Sequence, residues 1–229
     1  MIKMETLINL AQQIENAELR EKVISFLKNP KISIETFGDE LAIEDSPASK
    51  EVHQSYEKGL IEHTLSVTLI ALEIVKVIQK VYNIDFINRD LIIAGGLLHD
   101  LYKPLTYTKP NSKYRRSRLG SKIDHTSLMF AELWVRKFPL DLLHVVLAHH
   151  GKGAAIPPRS LEALILHLAD YVDSNLFSDI LQGARKIAER AGKKVIIKNS
   201  QLAARICFIM AKDGIEGVQK FLSTPEKKE

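Results

Sequence analysis

Apolar residues recur at helical spacing along most of this 229-residue chain. The spacing predicts five consecutive helices in the middle of the sequence, because an apolar residue at every third or fourth position lines one face of a helix. In chain order these segments read LIEHTLSVTLIALEIVKVIQKVY, NRDLIIAGGLLHDL, DHTSLMFAELWVRKF, LDLLHVVLAHH and SLEALILHLADYVDSNL. Asn88 is expected to cap the second helix, and Pro139 to begin the fourth. Adjacent helices of this kind bury their apolar faces in a bundle.

Helical spacing also marks both ends of the chain. LINLAQQIENAELREKVISFLK predicts one or two N-terminal helices, with Asn16 as a break or a cap and an end at Asn29-Pro30. Ser46 and Pro47 are expected to open the helical core. The fold class is therefore mostly α, and we expect a helical extension at residues 1–46, a core at 47–190, and a helical appendage packed on it at 191–229.

Two segments alternate instead of following a helical period. Residues 31–45, KISIETFGDELAIED, are expected to form a small β-hairpin closed by FGDE, and KKVIIK at 193–198 is a candidate for a further strand. Both predictions rest on short stretches.

Composition is that of a soluble, cytoplasmic protein. Apolar residues make up 45% of the chain and charged residues 26%, the formal net charge is +4, and the single Cys207 excludes an intramolecular disulfide. Cys207 lies in RICFIMA and is expected to be a small core residue. The N-terminus does not have the pattern of a signal peptide, and no apolar run is long enough to span a bilayer.

All eight histidines fall between His53 and His167, and two acidic residues accompany them on apolar segments. His99 and Asp100 follow the apolar run LIIAGGLL, and burying them costs free energy unless each is hydrogen-bonded, paired or bound to a metal. Asp170 lies on an apolar helical stripe. His63, His125 and His149 are near helix ends, so side chains from several helices can converge. Imidazole and carboxylate donors suit a divalent ion such as iron, manganese, nickel or zinc.

Each of these residues has a simpler interpretation when it is taken alone. His63 suits a hydrogen-bonded core residue, the dyad His99-Asp100 suits a helix end with a solvated carboxylate, and Asp170 suits a cap or a partner of a lysine. Their order on successive helices favours one shared metal site over five separate explanations.

That order resembles the HD superfamily of metal-dependent phosphohydrolases, whose motif here reads His63, His99-Asp100 and Asp170. The match covers residues 47 to 175, the length of an HD-domain helical bundle. The stretches PASKEVHQSYEKGLIEHTLSV, GGLLHDLYKP, LAHHG and HLADYVD are similar to one subgroup. It includes bacterial HD-domain 3′–5′ exoribonucleases and archaeal dihydroneopterin 2′,3′-cyclic phosphate phosphodiesterases.

The resemblance implies a centre with two divalent transition metals, of which Fe(II) or Mn(II) is expected. Members with two further histidines between the dyad and the last aspartate hold two ions, and His125 and His149 fill those positions. Asp100 would then bridge the ions. Lys103 is expected to be catalytic by steadying negative charge, although a lysine at this place also suits the end of a helix. His150 is either another metal contact or a hydrogen-bond donor to the substrate.

A basic loop joins the dyad helix to the His125 helix. Between residues 103 and 122 it carries seven lysines and arginines and no acidic residue. Because both ends of the loop carry predicted ligands, Arg115, Arg116 and Arg118 are candidates for binding substrate phosphate. The alternative is an ordinary solvated loop.

These observations predict a metal-dependent phosphodiesterase that hydrolyses a small 2′,3′-cyclic phosphate of pterin or nucleoside type to a monoester. The alternatives are a 3′–5′ exoribonuclease, a non-catalytic nucleotide-binding module, and an oxygenase with a di-iron centre. The expected partner is a small phosphate ester, not a membrane or a nucleic acid, because no strip of aromatics for base stacking is evident. The sequence leaves a homo-oligomer open.

Overall fold

The computed structural model describes residues 3–224, and within that range the chain is mostly helical, as predicted. The helices are α1 Met4–Ala11, α2 Ala17–Lys28, α3 Gly59–Tyr82, α4 Arg89–Leu98, α5 His125–Val135, α6 Leu140–Ala148, α7 Leu161–Arg190 and α8 Ser200–Ser223. Short 3-10 turns occur at Ile43–Asp45, Lys103–Thr106, Pro110–Ser112 and Gly151–Gly153. Two strands, β1 Tyr107–Thr108 and β2 Arg115–Arg116, pair antiparallel with Tyr107 opposite Arg116. No described helix is long and apolar enough to cross a membrane.

Side-chain caps set several helix starts at the predicted residues. The Asn16 side chain accepts a hydrogen bond from Leu19 N at 2.9 Å and begins α2. Asn88 caps α4 by accepting from Asp90 N at 3.1 Å and from Leu91 N at 3.2 Å. Such a cap satisfies backbone donors that the first helical turn leaves unpaired.

The core surrounds α4, whose residues from Leu91 onward are all buried. This helix contacts α3, α6 and α7 on one side and α1 and α2 on the other. A Cβ on Gly95 would lie 2.5 Å from Val145 Cγ1, and one on Gly96 would lie 2.5 Å from Thr68 Oγ1. This glycine pair therefore permits the close packing of α3 and α6 against α4. The close approach brings the end of α4 beside α3 and α7.

A second apolar cluster joins α8 to the C-terminal half of α7. Leu181 and Ala184 of α7 are fully buried against Ile206 and Val218 of α8. Helix α8, in the segment predicted as an appendage, therefore packs on α7, and the division into appendage and core stays a prediction. The last residues of this segment, 225–229, lie outside the described range, as do residues 1–2 of the N-terminal extension. The boundaries after residues 46 and 190 stay predictions.

The small β-hairpin exists, but its predicted position was wrong. Residues 31–45, all of them described, contain no strand. The Glu132 carboxylate accepts from Ser33 N at 2.8 Å and from Ser33 Oγ at 3.0 Å, so this backbone donor is used by a side chain instead of a strand partner. Residues 193–198 are also without a strand, and the hairpin lies instead in the basic loop.

The helix expected to open at Ser46 and Pro47 begins later than predicted. No helix begins at Ser46 and Pro47; the described chain turns through residues 46–58 before α3 starts at Gly59. Gln54 and Lys58 have positive φ values of 32° and 68°, which interrupt any helix there. The helix predicted to end near residue 176 instead continues as α7 to Arg190.

Gly96→Ala tests the close packing of α3 and α4. The added methyl group meets Thr68, and we expect a net loss of about 1–2 kcal/mol in the free energy of unfolding, because overpacking outweighs the gain of ~1 kcal/mol in helix propensity. Chemical denaturation measures the change. Gly153→Ala is the matched control, since a Cβ there meets nothing within 4 Å. Equal stabilities of the two variants would contradict the packing argument.

Candidate metal centre

Five elements bring the predicted ligands to one place. His63 is in the second turn of α3, and Asp170 is in the middle of α7. His99 ends α4 with Asp100 directly after it, His125 is the first residue of α5, and His149 ends α6. Helix ends thus supply most of the side chains.

The first ligand group consists of His63, His99, Asp100 and Asp170. His63 Nε2 lies 3.2 Å from Asp100 Oδ2 and 3.2 Å from Asp170 Oδ1. His99 Nε2 lies 3.4 Å from His63 Nε2 and 3.5 Å from Asp100 Oδ2. These nitrogens and oxygens surround one small volume.

The second group lies on the other side of Asp100. Asp100 Oδ1 is 3.0 Å from His125 Nε2 and 3.6 Å from His149 Nε2. Donor atoms of these residues and of His150 all lie within 4.8 Å of one another. Asp100 therefore directs one carboxylate oxygen to each group, the arrangement expected of a bridging ligand.

The donor set fits divalent cations. Both Asp100 oxygens and His149 Nε2 are buried and, among the described residues, make no hydrogen bond of regular geometry. Lys103 Nζ contacts Asp100 Oδ2 as an ion pair, whereas Oδ1, in the described part of the chain, faces only the imidazoles of His125 and His149. Ligands bound at about 2.0–2.2 Å to one ion have neighbouring donor atoms about 3 Å apart, close to the separations found here. Nitrogen and carboxylate donors together suit first-row transition metals.

Hydrogen bonds on the far side of three of the imidazoles present their Nε2 atoms to the centre. His99 Nδ1 donates to Gly96 O at 2.8 Å, and His149 Nδ1 donates to Val146 O at 2.6 Å. His63 Nδ1 donates to Asp173 Oδ2 at 2.7 Å. Because a carbonyl or carboxylate can only accept, Nδ1 carries the proton, and in the neutral ring Nε2 keeps its lone pair for a cation.

The family of the chain follows from comparisons with known proteins. The family model described as HD domain matches residues 60–175, which include all six proposed ligands. The chain belongs to the HD domain family. It is 46% identical over 174 residues to a dihydroneopterin 2′,3′-cyclic phosphate phosphodiesterase of Methanocaldococcus jannaschii, covering 76% of this chain and 70% of that protein.

Two further relatives are bacterial 3′–5′ exoribonucleases named YhaM. The Oceanobacillus iheyensis protein is 33% identical over 184 residues, covering 71% of this chain and 55% of that protein. The Bacillus pumilus protein is 32% identical over 167 residues, with 66% and 50% covered. The chain thus spans about half the length of these exoribonucleases. No solved structure gives a significant match.

Opposite charges hold the central ionisable groups of this HD domain in their charged forms. Burial alone would raise the pKa of Asp100, but Lys103 and the neighbouring histidines hold it well below its usual value. Burial would likewise lower the pKa of Lys103, yet Asp100 and Asp170 raise it above its usual value. A carboxylate and an ammonium group therefore persist side by side in the interior.

The centre also favours neutral imidazoles at its edge. Desolvation by the surrounding protein, followed by the influence of His149, lowers the pKa of His150 to about 3, although part of this side chain is exposed. Burial, followed by the influence of His63, lowers the pKa of His53 to about 4. A neutral ring can both donate and accept a hydrogen bond, which suits contact with a bound molecule.

The structure places the predicted substrate-binding residues at different distances from the centre. His150 is exposed, and its ring centroid lies 4.0 Å from that of His149 and 5.2 Å from that of His125. The arginines are not in the ligand cluster. Arg116 Nη1 donates to Gly120 O at 2.9 Å, and the Arg118 guanidinium lies 4.4 Å from the Phe37 ring centroid.

The hairpin connects the basic loop to the centre through Tyr107. This residue faces Arg116 across the strand pair, and Arg115 is exposed on the same strand. Burial raises the pKa of Tyr107, whereas Lys103 and Arg116 lower it. The charge of Arg116 therefore influences Tyr107, and Tyr107 also interacts with Lys103. Its place near the mouth of the site stays a prediction.

Sequence reasoning did not identify Asp173 and Gln54. Asp173 is fully buried, binds His63 as described, and accepts from Gln54 Nε2 at 2.8 Å. Asp173 follows Asp170 by three residues, a spacing that places both on one face of α7 and was the available signal. Gln54 carried no such signal, because it lies in an irregular segment far from α7 in sequence.

Replacement of Asp100 tests the shared ligand. Protein purified without chelator should contain up to two transition-metal ions per chain, and Asp100→Ala or His99→Ala should lose metal and activity together because each removes a proposed ligand. Asp173→Asn should keep the ions but bind them about 10–100-fold more weakly, as expected for a partner of a ligand. Elemental analysis and competition with a chelator measure both effects.

Asp179→Asn is the matched control, since Asp179 is an exposed acid on the same helix as Asp170. It should leave metal content and affinity unchanged. Full metal content in both Asp100→Ala and His99→Ala would refute the ligand assignment.

Proposed function

We propose that this protein is a metal-dependent phosphodiesterase that hydrolyses a small 2′,3′-cyclic phosphate, of pterin or nucleoside type, to a monoester. The position of Asp100 between two donor groups carries the proposal, because hydrolysis of a phosphate ester profits from two adjacent cations. The similarity to the Methanocaldococcus jannaschii phosphodiesterase supports the substrate class.

The proposed ligands form two sets with one shared member. His63, His99, Asp100 and Asp170 would hold one ion, and Asp100, His125 and His149 would hold the other. Fe(II) or Mn(II) is the proposed metal in both positions, since mixed imidazole and carboxylate donors suit these ions. When bound, the ions supply charge neutralisation for the phosphate and lower the pKa of a coordinated water.

Lys103 is proposed to stabilise negative charge that develops on the phosphate. It is buried, its ammonium group contacts Asp100, and Asp170 helps to keep it protonated. A fixed positive charge in a site with little solvent stabilises an anionic transition state more than it would in water. Asp100, besides its proposed bridging role, fixes the position of this lysine.

His150 and the arginines are proposed to bind the substrate. His150 lies beside the second ligand group and is exposed, so it can donate a hydrogen bond to a phosphate oxygen. Arg115, Arg116 and Arg118 offer guanidinium groups that bind phosphate through charge-assisted hydrogen bonds. We further propose a cytoplasmic location and no membrane or nucleic-acid partner.

Exoribonuclease activity is the second candidate, favoured by the similarity to the YhaM proteins. Those enzymes are longer than the matched region, and RNA binding also needs a basic track with stacking platforms. A non-catalytic nucleotide-binding module is less well supported, because all six ligand residues implied by the family resemblance are present and five elements bring them together.

A substrate panel separates the two enzyme functions. Metal-reconstituted protein should open 2′,3′-cyclic phosphates to monoesters and should degrade single-stranded RNA far more slowly at equal enzyme concentration. A small diester needs only the ions and a few anchoring groups, whereas RNA also needs a basic track with stacking platforms. Product analysis by chromatography distinguishes ring opening from stepwise trimming. If the protein trimmed RNA from its 3′ end and left the cyclic phosphates intact, the exoribonuclease function would replace our proposal.

Neutralising the basic loop tests phosphate recognition. The triple variant Arg115→Gln, Arg116→Gln and Arg118→Gln should raise KM about tenfold or more, the effect of losing ~1.5–3 kcal/mol of charge-assisted hydrogen bonding. Its metal content should not change. Arg205→Gln, an exposed arginine on α8, is the control. Unchanged kinetics in the triple variant would assign the loop to ordinary solvated surface.

A further inference from the structure

His53 lies beside the metal centre although it precedes the matched HD region, which begins at residue 60. Its ring centroid is 4.9 Å from that of His63. The side chain is only partly exposed, and it belongs to the irregular segment before α3. It therefore reaches the centre from the solvent side of the bundle.

A chain of hydrogen bonds fixes the tautomer of His53. The Asp173 carboxylate can only accept, so Gln54 must direct Nε2 toward it, at 2.8 Å. Gln54 Oε1 then faces His53 Nδ1 at 2.8 Å, and this nitrogen must carry the proton. In the neutral ring, Nε2 is left as a hydrogen-bond acceptor.

The backbone holds Gln54 in this role. Gln54 is 1% exposed and has a φ of 32°, in the left-handed region that a glutamine rarely adopts. A Cβ on Gly59 would lie 2.0 Å from Gln54 O, so only glycine permits this turn. Strained residues of this kind persist where the surrounding structure determines them and are common at functional sites.

The free nitrogen of His53 points toward a proposed metal ligand. Ser174 Oγ lies 3.5 Å from His53 Nε2 and 3.2 Å from Asp170 Oδ1. The single hydroxyl proton of Ser174 is better placed to bind the Asp170 carboxylate. The lone pair of His53 Nε2 is therefore available to a hydrogen-bond donor of a bound molecule beside Asp170. His53, His63 and Asp173 do not form a site for a further metal, because His63 has no nitrogen left for it. His63 Nε2 faces the first ligand group, and His63 Nδ1 donates to Asp173.

We infer that His53, held by Gln54, forms a subsite that accepts a hydrogen bond from a hydroxyl group next to the phosphate. The inference rests on the proposed function, in which Asp170 holds one of the ions that bind the phosphate. In hydrolysis of the cyclic phosphate of a vicinal diol, the oxygen of water forms a new P–O bond and one ring P–O bond breaks. The released oxygen takes a proton from that water and becomes a hydroxyl on the neighbouring carbon. The subsite would recognise that hydroxyl, and so distinguish esters of vicinal diols from other monoesters.

Equilibrium binding tests the subsite without turnover. The probes are adenosine 3′-monophosphate and 2′-deoxyadenosine 3′-monophosphate, which differ only in this hydroxyl, titrated calorimetrically into the metal-loaded protein. The wild-type protein should bind the ribose compound about 3- to 10-fold more tightly, the effect of one neutral hydrogen bond. His53→Leu should abolish the preference while keeping its metal content.

Further variants separate this role from a structural one. Gln54→Met keeps the size of the side chain but breaks the chain of hydrogen bonds, so it should also reduce the preference. His53→Gln should restore part of it, because its amide oxygen can act as the acceptor. His144→Leu is the matched control: His144 is half-buried and accepts from Arg159 N at 3.0 Å, outside the centre.

The outcomes distinguish this inference from the proposed function. A wild-type protein without the preference, or a preference that survives in His53→Leu or is lost equally in His144→Leu, overturns the subsite. A preference that depends on His53 in a protein that leaves 2′,3′-cyclic adenosine monophosphate intact supports the subsite and refutes the phosphodiesterase. Hydrolysis of 2′,3′-cyclic adenosine monophosphate by a wild-type protein that does not prefer the ribose compound supports the phosphodiesterase and refutes the subsite.

Discussion

The burial of the Asp100 carboxylate is the constraint on which the rest of the structure depends. An ionised carboxylate without partners is costly in the interior, and here both oxygens lack regular hydrogen bonds. Lys103 pairs with one of these oxygens. Three of the surrounding imidazoles, those of His63, His99 and His149, donate their Nδ1 protons to other groups, so their neutral rings have no proton left for Asp100. Divalent cations between Asp100 and these nitrogens would convert this cost into binding free energy. Stability and the proposed function thus depend on the same atoms.

The position of Asp100 follows from how α4 packs. The helix is buried on every side and needs glycine where α3 and α6 approach it most closely. Its C-terminal end therefore lies in the middle of the bundle, where the end of α6, the start of α5 and the middle of α7 are within reach. Helix ends are well suited to this purpose, because their unpaired carbonyls orient the adjacent imidazoles, as Gly96 and Val146 do for His99 and His149.

Sequence alone predicted those parts of the molecule that depend on local or periodic signals. Asn16 and Asn88 were identifiable as caps, and the six proposed ligands were identifiable because all lie on or at the ends of amphipathic helices. The strand predicted at residues 31–45 failed because Glu132, about a hundred residues away, binds the Ser33 backbone. Gln54 was missed for a similar reason, since its contact with Asp173 exists only when α7 meets the segment before α3. Pairings distant in sequence leave no periodic trace.

The division of roles along the chain explains how one family can serve different substrates. The proposed ligands all lie in the matched region and depend on helix packing, so the surrounding chain can vary while the metal chemistry stays the same. His53 and Gln54 precede that region, and the arginines lie on a hairpin inserted between α4 and α5. His53 lies beside His63 at the edge of the centre, and the charge of Arg116 influences Tyr107, which also interacts with Lys103. The segment before α3 and the hairpin would then recognise the organic part of the substrate. The backbone of both is determined by turns and not by packing in the helical bundle.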